Sequence, residues 1–239
     1  MRRGGRDGRS PYRPPRPCPP NRWIMDAVTP RASPRTKDPE RTKADILAVA
    51  TEEFSAFGLS GARVDAIAER TRTSKRMIYY YFGSKEGLYL AVLEKAYADI
   101  RQVEADLDLG NLSPAEAIRR LVEFTFEYDE AHPDFIRLVA IENIHRAEHL
   151  SGSETIRGLN LGVIRTITDI IVRGQADGVF RADVDPLDVH LMISALCFFR
   201  VSNRHTFGAI FSVDLDAPAL RARHKRMAGD AVIGMLSLR

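Results

Sequence analysis

The stretch VDAIAERTRTSKRMIYYYFGSKEGL, Val64 to Leu88, constrains the fold more than any other part of the chain. Val64, Ile67 and Ala68 give a short helix one apolar side, a three-residue turn follows, and Ser74 stands where a second helix needs its cap. The Ser74 hydroxyl can accept a bond from a free amide of the first turn, and Ile78 and Phe82, four apart, share the side that faces the first helix. Lys75, Arg76, Tyr79 and Tyr80 remain on the other side. Two helices joined in this way form a helix-turn-helix. Cations at the front of the second, followed by phenols, suit end-on insertion into a DNA major groove.

The flanking segments supply a frame for this unit. Asp38-Pro39 opens a scaffold helix, with the acid as cap and proline where its missing amide costs nothing. Ile46, Ala50, Phe54 and Phe57 fall on one face, Gly58 ends the helix, and Thr42 near its start is within reach of a phosphate. Beyond the second helix, Ser84 caps a long helix in which Leu88, Val92, Ala96 and Ile100 recur every fourth residue. Lys85 in its first turn is a further phosphate contact, because free amides and the helix dipole already favour an anion there.

The run SKRMIYYYFGSKEGLY closely resembles the recognition helix and following helix start of TetR/AcrR-type bacterial transcriptional regulators, where Ser-Lys-x-x-(Leu/Ile)-Tyr-x-Tyr-Phe-x-(Ser/Asn)-Lys-Glu recurs. The likeness extends back through ILAVATEEFSAFGLSGARVDAIAERT and covers about residues 41 to 90; the remainder matches as a helical body of suitable length. The resemblance implies an all-α fold, an N-terminal three-helix DNA-binding domain followed by a larger helical domain for ligand binding and dimerisation. It also implies a homodimer on a palindromic operator of double-stranded DNA, repression in the unliganded state, and a long helix that carries ligand binding to the DNA-reading unit. Two positions depart from the pattern. Arg72 stands where the family usually has glycine in the turn, and a positive φ there would cost about 1 kcal/mol. Arg63 stands where threonine usually precedes the valine, losing a hydroxyl cap and gaining a phosphate contact.

The net charge of +3 conceals an uneven division along the chain. Residues 1–38 carry ten Lys+Arg against three acids, residues 39–88 eight against seven, and residues 89–239 seventeen against twenty-two. Attraction to nucleic acid therefore rests on local placement in the helix-turn-helix and on the tail. Residues 1–37, rich in Arg, Pro and Gly, bury too little to order themselves. They form either a disordered basic arm adding phosphate or minor-groove contacts, or a nonspecific extension ahead of a start at Met25. No apolar run approaches the ~20 residues a membrane span needs, and the tail lacks the apolar stretch of an export signal, so a cytoplasmic protein with no membrane partner is expected. Cys18 and Cys197 make neither a disulfide framework nor a metal site.

The expected division is thus an arm over 1–37, a helix-turn-helix domain over 38–86 and a helical effector-binding and dimerisation domain over 87–239. In the last, Ser113-Pro114-Ala115-Glu116 is a capping box, and Leu121, Phe124, Thr125 and Tyr128 share a face before His132-Pro133 breaks the helix. The segment PDFIRLVAIENIHRAEHL is apolar nearly all round, the signature of a central buried helix, with Glu142 and His145 on the side of Phe135 and Leu138. Phe124, Tyr128, Phe135, Leu138, Glu142, His145 and Phe198 are the expected pocket, apolar walls with a few orienting polar groups. The alternative is that Glu142 and His145 are exposed or satisfy each other. Glu142, His145 and His149 complete neither a di-iron nor a zinc-protease pattern, so neither metal nor cofactor is expected. The helix from Glu154 to Gln175 is core, with Asn160 and Arg165 as candidate polar contributors to the pocket.

Two final helices, about 185–207 and 217–238, carry excess apolar surface that suits a homodimer interface, unless both close the core of a single chain. The basic front of the last one (Arg221, Arg223, His224, Lys225, Arg226) opposes its dipole and is expected to answer Asp214 and Asp216 or carboxylates of a partner.

The leading function is a ligand-responsive transcriptional regulator. Lys75 and Arg76 would read base edges, guanine being the natural partner of either, while Thr42, Arg63, Thr73, Ser74, Tyr79, Tyr80, Tyr81 and Lys85 would hold phosphates. The competing function is a DNA-binding organising factor whose helical body serves protein contacts. A ligand-sized cavity between the helices carrying Phe124, Glu142 and Phe198 separates the two. A helical enzyme finds no nucleophile-base arrangement or phosphate-binding glycine loop to support it. Residue types alone do not name an effector.

Overall fold

A computed structural model describes residues 38–238, and the expectations for the arm at 1–37 lie outside the described residues. The described residues belong to one unit. The architecture is all-α: α1 (Pro39–Gly61), α2 (Val64–Arg70), α3 (Lys75–Phe82), α4 (Lys85–Ala105), α5 (Pro114–Ala131), α6 (Pro133–Ile144), α7 (Glu154–Ala176), α8 (Pro186–Ser202), α9 (Arg204–Phe211) and α10 (Pro218–Leu236). Among the described residues the β pairing is a single isolated bridge between Phe180 and Ser237.

Most of these helices start on the expected chemistry. Asp38 accepts the Glu40 amide, Ser74 that of Met77, and Ser84 that of Gly87, while Ser113 and Glu116 form a reciprocal capping box. Gly58 has φ 65° and bends the last turn of α1 away from the helix axis. Phe57 is exposed, although its spacing puts it with Ile46, Ala50 and Phe54, all of which are buried. Gly87 permits a close approach: a Cβ there would stand 2.1 Å from the carbonyl oxygen of Phe82, so α4 begins directly against the end of α3.

Two large cores hold the described residues. The first joins α1, α2, α3 and α4 through Phe54, Ile67, Ile78, Leu88 and Tyr89, and takes in Leu138 of α6 and Ile156 of α7. The second joins α5, α7, α8 and α10 through Ile118, Leu121, Phe126, Ile167, Ile193 and Val232. The first three helices and α4 therefore share their core with two helices of the C-terminal body.

Three expectations about the body need correction. The segment after Pro133 is not a central buried helix: α6 ends at Ile144, which is 76% exposed, and only Ile136, Leu138 and Glu142 along it are buried. Arg146 (φ 59°) and Ala147 (φ 57°) take left-handed conformations and turn the chain back instead of continuing the helix. The helix expected over 185–207 breaks at Asn203, after which α9 runs as a separate short helix with no buried residue. Finally, the cations of α10 answer acids of α5, with Arg221 on Glu130 (2.6 Å) and Lys225 on Glu127 (2.7 Å), while Asp216 faces Arg204.

Candidate nucleic-acid interface and ligand cavity

The turn between α2 and α3 is closed by amides of Arg72 and Thr73 bonding to the carbonyls of Glu69 and Ala68. To make it, Arg72 adopts φ 51°, the conformation that glycine supplies without steric cost. Replacing Arg72 with glycine is expected to raise stability by about 1 kcal/mol, read as a higher urea midpoint at unchanged slope. A midpoint equal to or below that of the parent chain would refute the strain. At Arg63 the missing hydroxyl cap is compensated from elsewhere, since its backbone amide donates to the buried carboxylate of Glu53 at 2.9 Å.

With Ile78 buried against α1 and α2, the opposite side of α3 presents Ser74, Lys75, Arg76, Tyr79 and Tyr80 to solvent, Tyr80 with 76% of its surface exposed. Lys75 is tied to Asp65 of α2, whereas Tyr81 is half-buried, with its ring packed on the core and Lys43 5.7 Å from its centroid. Arg63 is exposed at the start of α2, and Thr73 is half-buried in the turn. Thr42 spends its hydroxyl on the carbonyl of Asp38, and Lys85 reaches back to that of Ser60 (3.4 Å). All ten residues lie on the three N-terminal helices, their caps and turns, or the first turn of α4.

A cavity of about 360 Å³ opens between α4, α5, α6, α7 and α8. Its walls include Tyr97, Ile100, Phe135, Ile136, Val163 and Phe198, and its polar groups include Arg101, Glu104, Thr125, Asp129, Asn160 and His190. Tyr97 and Phe135 meet edge to face, 5.3 Å between centroids. Arg101 pairs with Glu104 one turn on along α4. Burial pushes the Asp129 carboxyl up to about 7, the Arg101 charge only partly opposing the shift, and burial with Arg101 lowers His190 to about 4.

Of the seven expected pocket residues, the structure brings Phe135 and Phe198 to this cavity. Phe124 and Tyr128 instead pack on Ile100 in a small core, Tyr128 stacking on His132 at 3.8 Å between centroids. Leu138 is buried in the core shared with α1 to α4. Glu142 is a structural anchor: its carboxylate accepts the amides of His149 (3.3 Å) and Leu150 (3.1 Å) and meets Nδ1 of His149 at 3.3 Å. His145, at the end of α6, is exposed. Asn160 lines the cavity as expected, and Arg165 is on the surface. Sequence reasoning missed Tyr97, Arg101, Asp129 and His190. Asp129 had a signal, since it follows Val122 and Phe126 at apolar spacing on α5.

Residues 46–92 match the family described as "Bacterial regulatory proteins, tetR family", and residues 114–232 match "Tetracyclin repressor-like, C-terminal domain". The chain belongs to the TetR family. Among its relatives, the HTH-type transcriptional repressor NicS of Pseudomonas putida is 41% identical over 181 residues, covering 76% of this chain and 85% of that protein. The HTH-type transcriptional regulator RutR of Escherichia coli is 29% identical over 164 residues, 67% of this chain and 74% of that one. The crystal structure of the transcriptional regulator SCO4942 from Streptomyces coelicolor superposes with a TM-score of 0.62 at 28% identity, covering 82% of this chain and 98% of that one. This TetR-family chain is accordingly a helix-turn-helix transcriptional regulator and not an enzyme. Among the described residues, no helix is long and apolar enough to cross a membrane.

Proposed function

We propose that this regulator is a repressor that binds a palindromic operator as a homodimer and leaves it when a small molecule fills the cavity between α4 and α8. Residues 38–86 would read DNA and residues 87–239 would bind the effector and pair the chains. The observation that carries the reading is the conjunction of a solvent-facing α3 with a ligand-sized cavity bordered by α4, the helix that starts against the end of α3. A solid interior would instead have favoured the organising-factor alternative.

Arg76 and Lys75 are assigned to base edges, and Thr42, Arg63, Thr73, Ser74, Tyr79, Tyr80, Tyr81 and Lys85 to phosphates. Pairing is assigned to α8 and α10, where Leu187, Leu191 and Phe199 stand exposed at intervals of four and eight and Met227 is exposed opposite. Such a stripe is self-complementary about a two-fold axis. That axis would bring two recognition helices into successive major grooves.

Arg76→Ala tests the base-reading assignment by fluorescence anisotropy on the promoter duplex and on a scrambled duplex. A loss of about 1 to 3 kcal/mol on the promoter alone is expected. Equal loss on both duplexes would reassign Arg76 to phosphate.

A further inference from the structure

The polar groups of the cavity include a carboxyl that no protein group satisfies among the described residues. Asp129 is 4% exposed, and among the described residues nothing hydrogen-bonds to its carboxyl, although it lines the cavity. Asn160 donates one amide hydrogen to the Ile156 carbonyl (2.9 Å) and Asn143 one to that of Val139 (2.9 Å), so each keeps its oxygen and a second N–H. The Thr125 hydroxyl likewise donates to the Leu121 carbonyl. Arg101, the cation acting on Asp129, is paired with Glu104 through one terminal nitrogen, while its Nε and the Glu104 Oε1 have no partner among the described residues. A buried carboxyl with no partner is costly for the fold and carries no evident structural role here, which is the mark of a group kept for a ligand.

Resting on the reading of this cavity as the effector site, we infer that its ligand is a compact flat ring bearing N–H donors, neutral or cationic, held by Asp129 and Asn160 between the faces and edges of Tyr97, Phe135 and Phe198. An unpartnered carboxyl and an amide oxygen in one cavity call for donors, and a ring carrying positive charge also gains from aromatic walls. A simple carboxylate reaching for Arg101 would meet the carboxyls of Asp129 and Glu104 in the same cavity. The titratable groups that share the cavity with Asp129 are Tyr97, Arg101 and Glu104 from α4 and His190 from α8, and the charge of Asp129 is also felt at Cys197 of α8; α6 and α7 contribute the neutral amides Asn143 and Asn160. Because Asp129 titrates near 7 while His190 stays neutral above about 4, a cation binds the ionised carboxylate and protonation competes with it.

The test uses the full chain and three probes of one size and shape, benzamidine, benzamide and benzoate, by isothermal titration calorimetry. Benzamidine is expected to bind tightest and benzamide more weakly, with benzoate at least tenfold weaker than benzamidine. Benzamidine affinity should rise roughly tenfold from pH 6 to pH 8, the factor for a competing proton on a group near 7. This needs no variant. Asp129→Asn should remove that pH dependence and most of the benzamidine affinity, and keep that of benzamide within a few-fold. Tightest binding by benzoate, a flat pH profile, or no binding by any probe overturns the inference. Binding of benzamidine without release of promoter DNA would leave the ligand class standing and sink the effector reading, and release by benzoate would do the reverse.

Discussion

Replacing Phe54 with alanine is expected to cost about 3 to 5 kcal/mol, the usual price of emptying a fully enclosed phenylalanine site. Phe54 has no exposed surface and meets the ring of Tyr89 edge to face at 5.1 Å. Around it lie Ile67, Ile78 and Leu88, together with Leu138 and Ile156 from the body. No single helix of the DNA-facing unit closes this core, so the cavity left behind weakens the seating of α3 and the junction with α6 and α7 at once. Chemical denaturation should report the loss as a lower midpoint, and promoter binding should fall in parallel. A change below about 1 kcal/mol would mean that the two parts of the chain do not share the core described.

Glu142→Ala should be the second most damaging change, at roughly 3 kcal/mol, because it strips an acceptor from two backbone amides in a buried setting. The carboxylate is 2% exposed and holds the loop that follows α6 through His149 and Leu150. Two left-handed residues, Arg146 and Ala147, sit in that loop, and neither is a glycine that would adopt such φ values freely. Without Glu142 the loop should open, giving rapid tryptic cleavage at Arg146 and a lower melting temperature. Unchanged protection of Arg146 would show that other contacts hold the loop.

These two residues mark where sequence was sufficient and where it was not. Phe54 could be placed from spacing alone, since Ile46, Ala50 and Phe54 recur every fourth residue between an aspartate cap and a glycine stop. The helix-turn-helix was legible for the same reason: caps at Ser74 and Ser84, the apolar positions of α2 and the cations of α3 are all local signals. Glu142 was misread because its partners are determined by a turn that nothing local announces. Periodicity runs on through His145 toward Leu150, with no glycine or proline at 146 or 147, and the chain is turned by backbone bonds across 142–148 together with the amides that the Glu142 carboxylate captures. The cavity was illegible for a related reason. Its walls come from five helices far apart in sequence, and the facing of Asp129 toward Arg101 and His190 depends on how α4, α5 and α8 cross. Arg72 is an intermediate case, where a departure from the family pattern flagged the strained position and the backbone then adopted the positive φ.

Hydroxyl-radical footprinting of the full chain on its own promoter DNA tests the pairing of recognition helices most directly. Two protected patches, their centres about one helical turn or slightly more apart and related by a two-fold axis in the sequence, are the predicted result. A single protected patch, at protein concentrations that saturate the duplex, would contradict it.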